Sequence, residues 1–147
     1  MRITGNSVDL KFSDDMDFII NSNVGDLKLA KEFNGEVTTQ MVIRRVFSDL
    51  GDWKIFPSTG ANLNQFQGIE FNREISNLIK TTIIDELSRD FLINSRNIQV
   101  KVIPLTSRNL SIIVMVQNSY MKKPVVVSTG LSLDNHITSL DSKTHIK

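Results

Sequence analysis

Two periods alternate along this chain, and their order sets the fold it predicts. In the first 33 residues apolar positions recur at every second place: Met16, Phe18 and Ile20 flank Asp17 and Ile19, and Leu27 and Leu29 flank Lys28. A period of two puts alternate side chains on one face of a strand. Asn21-Ser22-Asn23-Val24-Gly25 between these pieces supplies turn chemistry, so the segment predicts a small hairpin with one apolar face. Asn34-Gly35 stops it, and the Asn34 side chain is suited to cap the helix that follows by accepting from a free first-turn N–H.

From Glu36 to Leu50 the period becomes helical. Ile43, Val46, Phe47 and Leu50 stand at i, i+3, i+4 and i+7, Val37 and Met41 lie near the same stripe, and Gly51 is placed to end the helix. A second, longer helix is predicted from Asn72 to Arg89, with Phe71, Ile75, Leu78, Ile79, Ile83 and Leu87 as its apolar face. Asn62-Leu63-Asn64-Gln65-Phe66 fits one short helical turn between the two. The period of two then returns: Ile98, Val100 and Val102 alternate with Gln99 and Lys101, and Leu110, Ile112, Val114 and Val116 with Ser111, Ile113 and Met115. Leu105 to Asn109 is the hairpin loop, and Pro104 sits at a strand end, where its missing N–H costs no ladder bond. Pro124 to Thr129, with three consecutive valines, predicts a third strand. The fold class is therefore α+β: a short N-terminal hairpin, two main helices and a C-terminal antiparallel sheet of two to three strands. Residues 1–131 are expected to form a single domain, and the polar, aperiodic residues 132–147 a mobile C-terminal tail.

Composition narrows the function classes. A chain of 147 residues is long enough for one core that buries roughly 70% of the unfolded surface. A net charge of +1 gives little basis for a tight, sequence-independent grip on nucleic acid. The lack of cysteine removes disulfides, thiol nucleophiles and Cys-based zinc sites together, and it fits assembly in a reducing cytoplasm. No apolar run approaches the roughly 18 residues of a membrane span, and Met1-Arg2-Ile3-Thr4-Gly5-Asn6 lacks a signal core.

Candidate chemistry is sparse. His136 and His145 have only Asp134 and Asp141 near them in the tail, without the rigid surroundings that orient metal ligands. No serine sits in a G-x-S-x-G elbow. Glu70 with Glu74, and Glu86 with Asp90, are each one helical turn apart. A glycosidase site would have to be built from such pairs, but solvated helix faces are the simpler reading, and Glu70 and Glu74 also favour the start of the second helix. Asp14, Asp15 and Asp17 lack the final Glu of an EF-hand loop. Arg44-Arg45, Lys122-Lys123, Lys101 and Arg108 are scattered, without interleaved aromatics. No catalytic, cofactor-binding or metal-ligating residue is assigned.

Between the helices, Gly51-Asp52-Trp53-Lys54-Ile55-Phe56-Pro57-Ser58-Thr59-Gly60 holds the only Trp, a Pro and two Gly. It is too punctuated for a linker, and Trp53 is the natural core or interface anchor in it. The helix, this stretch, the second helix and the strand pair introduced by Asn94-Ser95-Arg96 together resemble the small baseplate wedge proteins of contractile-tailed bacteriophages, over about Asp17 to Val116. Gly51 and Asp52 stand where that family has a Gly-acid pair, and Pro57 and Gly60 fit the loop after it. Of the family's Glu-Pro-Arg motif only Arg96 is kept, with Asn94 and Ser95 in the first two places. Related subunits occur in type VI secretion baseplates, and some phage members carry an old lysozyme label.

The resemblance implies a non-enzymatic virion subunit, assembled in the host cytoplasm and present in several copies around a six-fold baseplate. Its partners would be other baseplate wedge subunits, the tail sheath protein whose assembly it starts, and the tail tube, with no nucleic acid, no membrane and no cofactor. The candidate interface residues are Gly51, Asp52, Trp53, Pro57, Gly60, Arg96, Ile98, Val100 and Val102. The alternatives are a small peptidoglycan hydrolase and a generic protein-interaction adaptor.

Overall fold

Ile79, Ile83 and Leu87 recur at helical spacing and are all fully buried, which fixes the helix that carries them against the sheet. The computed structural model describes residues 6–13, 17–32, 35–134 and 143–144. Two helices, α1 (Glu36–Phe47) and α2 (Arg73–Ser88), lie on one face of an antiparallel sheet made of β5 (Ile98–Pro104), β6 (Asn109–Val116), β7 (Val125–Ser132) and β8 (Lys143–Thr144), in that spatial order. Ahead of them come two short antiparallel pairs, β1 (Val8–Leu10) with β4 (Leu29–Lys31), and β2 (Ile20–Asn21) with β3 (Asp26–Leu27). The fold is α+β.

The register shows why one sheet face is the core. Val100 pairs with Val114 and Val114 with Val127; Val102 pairs with Ile112 and Ile112 with Thr129. These inward positions meet Val42 and Val46 of α1 and the apolar row of α2 in one cluster. The short helical turn expected at 62–66 is a 3-10 turn, Leu63–Phe66, with Leu63 and Phe66 buried beneath it.

The α1 boundaries and face depart from expectation. The helix stops at Phe47, not Leu50, because Ser48 turns extended while its hydroxyl bonds back to the Arg44 carbonyl. Of the expected face, Val37, Met41 and Val46 are buried and Ile43 and Phe47 pack partly buried against the core, but Leu50 is exposed and Thr38, Thr39 and Val42 are buried as well. Leu78 of α2 is exposed as well. The cap expected at Asn34 lies outside the described residues, as do Met16, Asp14 and Asp15. The N-cap position is Gly35, at φ 75, and no side chain caps from it. The first-turn amide of Thr38 is instead taken by the buried Glu32 carboxylate at 2.8 Å, which also accepts the Thr38 hydroxyl at 2.5 Å.

The N-terminal pairs are fastened to α1 by polar contacts. Gln40 accepts from the Phe12 N–H at 2.8 Å and donates to the Leu10 carbonyl at 2.9 Å. Arg44 pairs with Asp9 at 2.6 Å and lies over the Phe12 ring, and Lys11 pairs with Glu36. The apolar face expected of the hairpin stays on the surface: Phe18, Ile20, Leu27 and Leu29 are exposed.

At the other end, the described residues of the tail expected from residue 132 are bound to the sheet. Ser132 completes β7, Leu133 is buried, Asp134 pairs with Arg108 at 2.7 Å, and β8 adds to the far edge of β7 through Val127 with Thr144 and Ser128 with Lys143. His136, Asp141 and His145 lie outside the described residues.

Candidate functional site: an apolar loop held by a buried carboxylate

The loop from Gly51 to Gly60 is built by its glycines and by short-range bonds. Gly51 sits at φ 92 and Gly60 at φ 131, conformations that side chains rarely adopt. A Cβ at Gly60 would also stand 2.4 Å from the Ser48 carbonyl oxygen, so the chain closes there only because Gly60 has none. The Gly51 N–H donates to the Pro57 carbonyl at 2.9 Å, and Asp52 is turned inward to accept from the Asp49 N–H at 2.8 Å. Trp53 is tethered at one edge, its indole N–H donating to the Ser48 hydroxyl at 2.8 Å.

The corner so formed presents apolar side chains to solvent. Ile55 is 83% exposed, Phe56 65%, Leu50 56% and Trp53 38%. Trp53 is therefore not a core anchor. Its polar end is satisfied within the chain while much of the ring remains outside. Pro57 and Asp52 are exposed beside it, and Gly60 is buried, a closing residue and not a contact surface.

Beneath the loop lies Glu86, only 2% exposed, on α2. One carboxylate oxygen accepts from the Gly60 N–H at 3.0 Å and from Arg45 at 3.4 Å; the other has the Arg89 guanidinium at 3.1 Å, close enough to pair but without hydrogen-bond alignment. Arg45 also donates to the Glu86 carbonyl at 3.1 Å and lies 3.6 Å from Asp90, and Arg89 donates to the Ser58 carbonyl. Two acids and two guanidiniums thus bind the end of the loop to both helices. The surface expected of Glu86 with Asp90 is corrected here: Asp90 is exposed, but Glu86 is sealed inside, paired because an unpaired buried charge is costly. Nothing in its local sequence announces this, since Arg45 and Gly60 come to it from far along the chain. Glu70 and Glu74 are exposed on or beside the start of α2.

A second surface is the main chain of β5. Among the described residues no strand pairs with its outer edge. The Asn97 carbonyl accepts from Gln117 and the Leu105 N–H donates to Asn109, which places Gln99, Lys101 and Ile103 in the hydrogen-bonded pairs with β6. The N–H and C=O groups of Val100 and Val102 therefore face outward, while the Ile98 N–H is used by the Ser95 carbonyl and Pro104 has none. The side chain of Ile98 is in the core and those of Val100 and Val102 pack partly buried against it, so what these positions chiefly offer a partner is backbone. Arg96 is exposed on the turn that leads into β5, where Asn94 caps by accepting the Arg96 N–H at 3.0 Å. Among the described residues no hydrogen bond or ion pair joins the loop corner to Arg96.

Among the described residues no cluster of His, Asp and Glu is arranged to hold a metal ion, and no helix is long and apolar enough to cross a membrane. No protein-family model, no curated protein and no solved structure matches the chain.

Proposed function

We propose that this chain is a structural subunit of a contractile-tail baseplate wedge, which binds neighbouring wedge subunits and starts assembly of the sheath. The observation that carries the reading is the Leu50 to Phe56 corner. It exposes four large apolar side chains, two of them aromatic, on a loop closed by bonds within the chain. Aromatic residues on a well-fixed, solvent-facing corner are the material from which the centres of protein interfaces are made. The corner coincides with the stretch on which the resemblance to baseplate wedge proteins rests. The outward main chain of Val100 and Val102 supports the sheath half of the proposal, because an open antiparallel edge adds a partner strand through backbone hydrogen bonds.

The test is assembly. Particles lacking this chain should have no complete sheathed tail. Supplying the wild-type chain should restore it, and supplying a Trp53→Ala, Phe56→Ser double variant should not, although that variant folds. Complete tails without the chain, or with the double variant, would end the proposal.

A further inference from the structure

We infer that Glu86 is the positioning residue of the apolar corner: the buried carboxylate under the loop, and not the packing of the loop's own side chains, fixes its pose. Apart from Trp53, whose ring is partly covered, the residues from Gly51 to Ser58 stand well out in solvent, so the loop gains little from burial beyond that one side chain. Its first half is tied by local bonds, the Gly51 N–H to Pro57 and the Trp53 indole to Ser48. At its second half, two ties reach the α2 charge cluster, from the Gly60 N–H to Glu86 and from the Ser58 carbonyl to Arg89, which itself pairs with Glu86.

A carboxylate with almost no access to water depends on each group that faces it, and one of these is the loop amide. Lifting the loop takes a donor from a buried charge and lets water in behind it. Closing the loop restores that donor and shuts the water out, so the loop pose and the satisfaction of the buried carboxylate go together. Gly60 makes the fit possible, because any side chain there would strike the Ser48 carbonyl. The consequence for docking rests on the interface reading given above: a corner already held in one conformation spares a partner the cost of ordering it. The pose itself does not rest on that reading.

The experiment is amide hydrogen exchange on the full chain, with acrylamide quenching of Trp53 as a second probe. In Glu86→Gln the amides of Gly51 and Gly60 should exchange at least about ten-fold faster relative to Ile112 in β6, and quenching of Trp53 should rise, with the sheet amides unchanged. Arg89 is half exposed, so Arg89→Met spares the buried acid's contacts with Arg45 and Gly60. It also removes the Arg89 bond to Ser58, and should move the same loop amides in the same direction by a smaller factor; if Glu86→Gln does not fold, Glu86→Asp, whose shorter arm withdraws the carboxylate from the Gly60 N–H, decides the matter by the same readouts. Loop exchange that stays at the wild-type rate, or that quickens only in step with the β6 amides, overturns the inference. Because these measurements need no partner, they separate it from the interface reading. If Trp53→Ala with Phe56→Ser assembles normally while Glu86→Gln frees the loop, the docking role falls and the positioning role stands.

Discussion

Glu32 and Glu86 are carboxylates taken out of water in different ways. Glu86 has guanidinium partners, whereas Glu32 has, among the described residues, the Thr38 amide and hydroxyl at the start of α1. Burial pushes the Glu32 carboxyl above its ordinary value of 4.5, and the two Thr38 bonds pull it only part of the way back. Because its pKa is higher folded than unfolded, the contribution of Glu32 to stability is full below the unfolded value and is lost as pH rises through the folded one. Denaturant unfolding of the wild type and Glu32→Gln, compared from pH 4 to pH 7, should therefore show the balance moving in favour of the Gln variant as pH rises. A difference independent of pH, or one moving the other way, would refute the assignment. Glu36 behaves oppositely. Burial works to raise its carboxyl too, but the Lys11 ammonium, the Lys31 amide and the lysine charges outweigh it, so its contribution is present above 4.5 and lost as pH falls below. Comparison with the Gln variant isolates Glu32 from this opposing trend.

Among the elements, α2 is the one whose sequence states its own limits. Asn72 takes an extended conformation and accepts the Ile75 N–H at 2.8 Å, satisfying one of the four donors that a helix start leaves free. Asn72→Ala should cost about 1 kcal/mol of unfolding free energy, and Asn72→Asp or Asn72→Ser should retain most of it. Thermal or denaturant unfolding reads the difference, and an unchanged midpoint for Asn72→Ala would show that the cap contributes nothing. α1 was harder to read for a physical reason. Its buried side includes Thr38 and Thr39 beside Val37, polar by composition but buried here, with the Thr39 hydroxyl bonded to the Gly35 carbonyl at 2.7 Å. The apolar period alone therefore displaces the face toward Ile43, Phe47 and Leu50. The loop corner was legible as structured, through its glycines, Pro57 and Trp53, but not as exposed. Exposure is decided by what packs on it, and Glu86, which holds it, carries no local mark of burial.

On the scale of the whole molecule, β5 and β6 were legible because strict alternation leaves one face to bury, and β7 through its three consecutive valines, whereas β8 is two residues in a polar segment and gives no periodic signal. The resulting sheet has unequal edges. On one side β7 is covered at Val127 and Ser128 by β8; on the other, β5 is open among the described residues and offers the backbone of Val100 and Val102. Native sheets blunt such edges with proline or charge, and here Pro104 removes the donor only at the end of the strand. A proline at 102 would extend that block inward: it deletes an N–H that faces away from β6, leaving the β5–β6 ladder through Lys101 and Ile103 in place. If sheath assembly begins by strand addition at this edge, Val102→Pro should leave a folded chain that still joins the wedge through the Trp53 corner but fails to recruit sheath protein. Electron microscopy would then show baseplates without sheath. Val102→Thr, which keeps the N–H, should support sheathed tails. Sheathed tails with Val102→Pro would place the sheath contact elsewhere on the molecule, and loss of both wedge and sheath binding would mean that the two surfaces act as one.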